Sequence, residues 1–168
     1  MNGVKSLFLL CAALIMGGMY SATVQAAPLN DAHALRGVHT AKAVFLINVK
    51  SPNALAHVLK VVGLTETGMV KQGVKTRLVV VVIGHGVAFL TKDMRGIPYT
   101  ERAAVAHAQK AVRMLDHMGV RFEACGVALK FGVDIPPSDI MAGVHPVGNG
   151  FISAIGYQAQ GYQLVPVF

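Results

Sequence analysis

The strongest structural signal in the sequence is the run Arg77–Ile83 (RLVVVVI), in which six consecutive residues are apolar and most are β-branched. Such side chains favour strands, and a strand without alternating polar residues is typical of a parallel sheet that is buried on both faces. A second run of strand length, Ala43–Val49 (AVFLINV), precedes it. Together the two runs predict an α/β fold in which helices cover a parallel sheet.

The first predicted helix lies between these two strands. Ser51 supplies an N-cap and Pro52 a proline at the first helical position. Gly63 or Gly68 is expected to end or weaken the helix, because glycine is a poor helix former. The apolar residues that recur at helical spacing are Leu55, Val58, Leu59 and Val62.

A tight turn at Gly84–Gly86 and an irregular loop are predicted to follow the second strand, and a long helix comes next. We expect this helix over Glu101–Met118, capped by Thr100 and closed by Gly119. Its predicted apolar face consists of Ala104, Ala108, Ala111, Leu115 and Met118. The polar residues expected to lie largely elsewhere are Arg102, Gln109, Arg113 and Asp116.

The C-terminal third continues the alternation of strands and helices. Its predicted elements are a strand at Val120–Ala124, a short helix at Gly126–Phe131, a break at Asp134–Ser138, a helical turn at Asp139–Met141, a strand at Val144–Val147, a helix capped by Asn149 and stopped by Gly161, and a strand at Tyr162–Phe168. Five strands that alternate with helices predict a three-layer α/β/α sandwich around a five-stranded parallel sheet.

The N-terminal 26 residues are predicted to be a secretory signal peptide. Lys5 is the only early charge, Leu7–Met19 is an apolar run, and Val24 and Ala26 are small residues at the positions that precede cleavage. The alternative, an uncleaved anchor, needs about 20 apolar residues, which is more than this run supplies. We therefore expect the protein in the periplasm or outside the cell.

Removal of 26 residues from 168 leaves 142, a usual size for one domain. Residues 27–42 are expected to form a flexible lead-in and residues 43–168 the domain. The net charge of +7 falls to +6, because Lys5 is the only charged residue removed. The lysines and arginines are scattered and form no run, so we expect a solvated surface rather than a nucleic-acid or membrane surface.

The sequence contains two cysteines, Cys11 and Cys125. Cleavage of the signal would leave Cys125 alone, which excludes an internal disulfide. Because Cys125 lies where a strand passes into a helix, we expect the N–H groups of residues 126–128 to point toward its sulfur and favour a thiolate. Gly126 is expected to leave the sulfur accessible, and Lys130 either adds a positive charge or points to solvent. The alternative is a buried cysteine that only packs.

Asn48, His85 and Cys125 each fall at the carboxyl end of a predicted strand. Ligands bind at the carboxyl ends of strands in open α/β sheets, so these side chains would share one edge if their strands are neighbours. We interpret His85 as a general base, a metal ligand or a turn residue. Gly84 and Gly86, which flank it, join Asn48, Gly126 and Lys130 as predicted ligand-binding residues.

No metal or cofactor is predicted. The seven histidines show no HxH or HxxxH spacing, and the sequence has no CxxC. His107 and His117 lie ten residues apart on a predicted helix and do not share a face. The two glycines around His85 lack the third glycine of the dinucleotide fingerprint.

Four segments of the sequence, VVVVIGHGVAFL, VRFEACGVALKFGVD, IMAGVHPVGNG and QAQGYQLVPV, resemble the DsrE-like (DsrE/DsrF/DsrH) family over about residues 43–168. The most specific of them is Cys-Gly-x-x-Leu-Lys followed by Gly-Val-Asp. The resemblance implies a five-stranded parallel sheet and homo-oligomers, trimers or hexamers. In the sulfur-relay members a cysteine at this place carries a persulfide, and here that role falls on Cys125. Those members are cytoplasmic, whereas this chain is predicted to be exported.

Two hypotheses about function follow. In the first, the protein is a periplasmic sulfur carrier of sulfurtransferase type, with a persulfide on Cys125, proton transfer assisted by His85, and protein partners that donate and accept sulfur. In the second, it is a non-catalytic small-ligand-binding or assembly protein of the same fold, in which Cys125 merely packs.

Overall fold

The computed structural model describes residues 29–168. The predicted signal peptide, its cleavage site and Cys11 lie outside the described residues. The strands are β1 (Thr40–Ile47), β2 (Lys75–Val82), β3 (Arg121–Cys125), β4 (Val144–Val147) and β5 (Gln163–Val167), and the helices are α1 (Pro52–Lys71), α2 (Arg102–His117), α3 (Gly126–Ala128) and α4 (Gly150–Ala159). No helix among the described residues is both long enough and apolar enough to span a membrane.

The five strands form one parallel sheet in the order β4-β3-β2-β1-β5. The chain steps from β1 to β4 in one direction and returns from β4 to β5 in the other. Since such connections are right-handed, α1 and α2 cover one face of the sheet and α4 covers the other. The predicted three-layer α/β/α sandwich is therefore confirmed.

The strand β2 lies at the centre of the sheet and is buried on both faces, as its unbroken apolar run predicts. Val80 and Val81 point to opposite faces and both are fully buried. On one side, Val80 lies in a row with Phe45 and Phe122. On the other, Val81 lies in register with Glu123, so a carboxylate enters an otherwise apolar layer.

The helix α1 begins as predicted, since Ser51 Oγ accepts a hydrogen bond of 3.2 Å from the N–H of Ala54. Of the two outcomes predicted for Gly63 or Gly68, that they end or weaken the helix, the first does not occur, because α1 continues to Lys71. A Cβ at Gly63 would lie 3.3 Å from Leu115 Cδ2 of α2. The glycine thus allows the two helices to approach closely, and this packing outweighs its low helix propensity, a cost of about 1 kcal/mol.

The helix α2 differs from its prediction at its start and on its buried face. A 3₁₀ turn at Tyr99–Glu101 leads into it, and Thr100 makes no capping bond. Gln109 is buried, because its Nε2 donates to the carbonyl oxygens of Phe89 and Thr91 at 3.2 and 2.9 Å. Buried carbonyl groups need such donors. Met118, placed on the apolar face by prediction, is exposed.

The segments after β2 and β3 are helical turns of other types. Gly84–Leu90 forms a 3₁₀ helix instead of a tight turn followed by a loop. The predicted helix at residues 126–131 is one α turn, α3, followed by a π turn at Leu129–Val133. A 3₁₀ turn at Pro137–Asp139 replaces the predicted turn at residues 139–141. Strand β1 begins at Thr40, inside the predicted lead-in.

Candidate functional site

The carboxyl ends of β1, β2 and β3 open onto a cleft of about 470 Å³. Because these strands are neighbours in the sheet, Asn48 and Cys125 line the same cleft, together with Gly84. Apolar and amide side chains complete the lining: Ile83, Val127, Ala128, Phe131, Asn149 and Phe151. Clefts of this size, mostly apolar with a few polar groups, are typical of small-molecule sites.

Cys125 is the last residue of β3 and is 5% exposed. Its Sγ accepts a hydrogen bond of 3.2 Å from the N–H of Gly150, the first residue of α4. The N–H groups of residues 126–128 were expected to point toward the sulfur. This was wrong, since the Cys125 side chain accepts no capping hydrogen bond at the start of α3. The side chain faces α4, so the helix N-terminus next to the sulfur is that of α4.

Gly150 brings α4 close to the ends of the strands. A Cβ at this position would lie 2.6 Å from Ile83 Cγ2 and 3.1 Å from Cys125 Cβ, so any larger residue forces the helix away. Asn149 caps α4 as predicted, with Oδ1 accepting from the N–H of Phe151 at 2.9 Å. The sequence pattern predicts this cap but does not indicate that α4 contacts Cys125.

The predicted ligand-binding glycines serve close packing. Gly84 has a φ of +60°, and a Cβ there would overlap Asn48 Oδ1. Gly86 is buried, and its Cβ would lie 3.0 Å from Val82 Cγ1. A Cβ at Gly126 would lie 2.6 Å from the carbonyl oxygen of Val147. Gly126 therefore allows β3 to lie against the end of β4, whereas the prediction gave it the role of exposing the sulfur.

His85 and Lys130 do not line the Cys125 cleft. His85 is exposed, packs edge-on against the ring of Phe89 at 5.4 Å, and lines a second cleft of about 370 Å³. Lys130 is exposed, with Nζ 5.0 Å from the ring centre of Phe131, and lines a third cleft of about 430 Å³ together with Gly126. The predicted catalytic residues Cys125 and His85 thus line different clefts.

A second polar group lies on β3 two residues before the cysteine. Glu123 is 3% exposed. Its Oε1 accepts from Tyr157 OH at 2.7 Å and from Arg121 Nε at 2.9 Å, and its Oε2 accepts from Ser153 Oγ. Buried carboxylates are stable only when such donors surround them.

The hydrogen bonds around Glu123 shift the pKa values of Glu123 and Tyr157. Burial alone raises the pKa of Glu123, but the hydrogen bonds from Ser153, Arg121 and Tyr157 outweigh it, so the pKa lies below its ordinary value. Burial and the hydrogen bond to Glu123 raise the pKa of Tyr157. Glu123 is therefore held as a carboxylate and Tyr157 as a neutral phenol.

Glu123 was not among the predicted site residues. The available signal was a glutamate inside the apolar run of β3, at the alternate position from Cys125 and so on the same face. Among residues 29–168, no group of three or more His, Cys, Asp or Glu side chains is arranged to hold a metal ion.

Comparisons with known proteins agree with this fold. The model of the DsrE/DsrF-like family matches residues 20–167. Among solved structures, the chain is similar to MTH1491, a protein of unknown function from Methanobacterium thermoautotrophicum, at 22% identity and a TM-score of 0.57. This match covers 75% of this chain and 98% of that one. No functionally curated protein matches the chain. Because the family model spans most of the sequence, the chain belongs to the DsrE/DsrF-like family.

Proposed function

We propose that this protein is an exported sulfur carrier that holds sulfane sulfur as a persulfide on Cys125. The observation that supports this most directly is the hydrogen bond from Gly150 N–H to Cys125 Sγ at the edge of a cleft of about 470 Å³. Membership of a family with sulfur-relay members agrees with it. Export rests on the N-terminal sequence pattern alone.

The proposed transfer is a thiol exchange without net oxidation. The Cys125 thiolate attacks the terminal sulfur of a donor RS–SH, the S–S bond of the donor breaks, and RS⁻ leaves as Cys125–S–SH forms. An acceptor thiolate then attacks the terminal sulfur, and Cys125 leaves as a thiolate. The Gly150 N–H, at the positive end of α4, stabilises the sulfur anion at the start and end of the cycle.

The remaining cleft residues support this chemistry without taking part in bond making. Asn48 and Asn149 line the same cleft as the sulfur, and Ile83, Phe131 and Phe151 supply its apolar walls. His85 has no part in this scheme, because it lines a different cleft.

Mass spectrometry of the purified protein tests the proposal. After incubation with thiosulfate or polysulfide, the wild type is expected to gain one or more sulfur atoms, which dithiothreitol removes. Cys125→Ser is expected to gain none. A wild type that gains no sulfur from any donor contradicts the proposal.

The second candidate function is a non-catalytic binding or assembly protein of the same fold, and the burial of Cys125 favours it. Alkylation by iodoacetamide at neutral pH separates the two. A sulfur carrier reacts while folded, whereas a cysteine that only packs reacts only when urea unfolds the protein.

We also propose that the protein forms a homo-oligomer through the outer side of α4. Phe151, Ile152 and Ile155 are exposed there, and exposed apolar groups of this kind mark interaction surfaces. Both edge strands contain a proline, Pro146 in β4 and Pro166 in β5, which disfavours pairing at the sheet edges. Light scattering is expected to show an oligomer that Ile155→Glu dissociates, and a monomeric wild type contradicts this.

A further inference from the structure

Glu123 and Cys125 lie on the same face of β3, because side chains two residues apart on a strand point the same way. The helix α4 covers both of them. Gly150 contacts the sulfur of Cys125, and Ser153 and Tyr157 donate to the carboxylate of Glu123. One face of a single helix therefore carries the donors of both groups.

The apolar contacts of α4 with the sheet are small. Its buried residues are Gly150, which has no side chain, and Ala154, which has a single methyl group, and the ring of Tyr157 packs partly buried against the core. The hydroxyl groups of Ser153 and Tyr157 on Glu123 are directional and charge-assisted, and such bonds are stronger than those between neutral groups. These two bonds therefore fix the position of α4 along β3 more tightly than its apolar contacts do.

We propose that Glu123 is a positioning residue, which anchors α4 so that the Gly150 N–H stays directed at the sulfur of Cys125. This inference rests on the proposed function, since it concerns the thiol that would carry sulfur. The hydrogen bond to the sulfur weakens steeply when its direction changes, so a shift of α4 reduces the stabilisation of the thiolate.

The charge of Glu123 acts in the opposite direction from its positioning role. A carboxylate near a thiol disfavours the thiolate, although Arg121 partly offsets that charge. Tyr157 also faces the carboxylate from α4, and His145 lies in register with Glu123 on β4. An informative variant must therefore remove the anchor and keep the carboxylate.

The double variant Ser153→Ala/Tyr157→Phe meets this requirement. The measurement is the rate of Cys125 alkylation by iodoacetamide in the folded full-length protein as a function of pH. We expect the midpoint of the double variant to lie about one pH unit above that of the wild type, because a lost donor destabilises the anion. At a pH below both midpoints, its rate is then about tenfold lower.

Thr76→Ala is the matched control. Thr76 Oγ1 donates to the buried carboxylate of Glu66 at 2.6 Å, so this variant also removes a hydroxyl from a buried carboxylate, but between α1 and β2. Its midpoint is expected to equal that of the wild type. Any of three results would overturn the inference. The midpoints could be equal in all three proteins, the shifts could be equal in the two variants, or the wild-type thiol could react only when the protein is unfolded.

Two further measurements keep the test decisive. If the double variant does not fold, Tyr157→Phe replaces it, and the amide resonance of Gly150 reports whether its bond to the sulfur persists. Alkylation requires no sulfur donor. A shifted midpoint together with absent persulfide therefore rejects the proposed function alone, whereas persulfide formation with an unshifted midpoint rejects the role of Glu123 alone.

Discussion

The face of the sheet that packs against α1 and α2 is held mainly by apolar contacts, with the Thr76–Glu66 hydrogen bond beside them, whereas the face that packs against α4 places a buried carboxylate next to a thiol. On the first face, Phe45, Val80 and Phe122 form a row under two long helices. On the second, Glu123 and Cys125 receive hydrogen bonds from a helix of ten residues. Apolar burial is strong and non-directional, while hydrogen bonds specify geometry. We infer that the first face provides stability and the second provides alignment.

The largest expected effect is on the α1–α2 face. Leu115 is fully buried and lies against Gly63 of α1. Leu115→Ala is expected to lower the free energy of unfolding by about 2–5 kcal/mol, through lost burial and the cavity left behind. Urea denaturation measures this. The alkylation rate of Cys125 in the folded fraction should not change, and a change in that rate would break the division between the two faces.

A smaller loss of stability with a clear effect on the thiol is expected at the start of α4. Gly150→Ala places a methyl group 2.6 Å from Ile83 Cγ2, which costs about 1–3 kcal/mol and slows alkylation of Cys125. Gly156→Ala, in the same helix, meets no atom within 4 Å and is expected to stabilise by about 0.5–1 kcal/mol. Equal effects of the two variants on alkylation would contradict the role of Gly150.

The third prediction concerns pH. Since the folded state lowers the pKa of Glu123, its ionised form stabilises the protein above the unfolded pKa of about 4.3. That stability is lost as the pH falls through the lower folded value. We expect Glu123→Gln to cost about 1–3 kcal/mol at pH 7. Urea denaturation should show the difference from wild type shrinking as the pH falls below about 4.

Asp93→Asn is the control for this measurement. The pKa of Asp93 is also lowered, chiefly by a hydrogen bond from the Arg95 side chain. This ion pair is exposed to solvent, and such pairs contribute little to stability. We therefore expect a smaller effect than at Glu123. An Asp93→Asn effect as large as that of Glu123→Gln would show that burial of the carboxylate is not what matters.

The sequence predicts those features that depend on neighbouring residues. Continuous apolar runs gave the strands, the alternation gave the parallel sheet, and Asn149 marked the start of α4. Cys125 and Glu123 contact α4, which lies in the connection between β4 and β5, and these contacts join residues 25 to 34 positions apart. They depend on where that connection crosses the sheet. No local pattern encodes that crossing. The packing role of Gly63 was not predicted for the same reason, because its neighbour, Leu115, belongs to another helix.

The position of β5 has a consequence for the order in which the protein folds. This last strand pairs with the first, placing Gln163 opposite Ala43, so the sheet cannot be completed until Gln163–Val167 has been synthesised. Contacts of such long sequence separation form slowly, because closing the loop between them costs entropy before the pairing is gained. We therefore expect completion of the sheet to be a late step of folding.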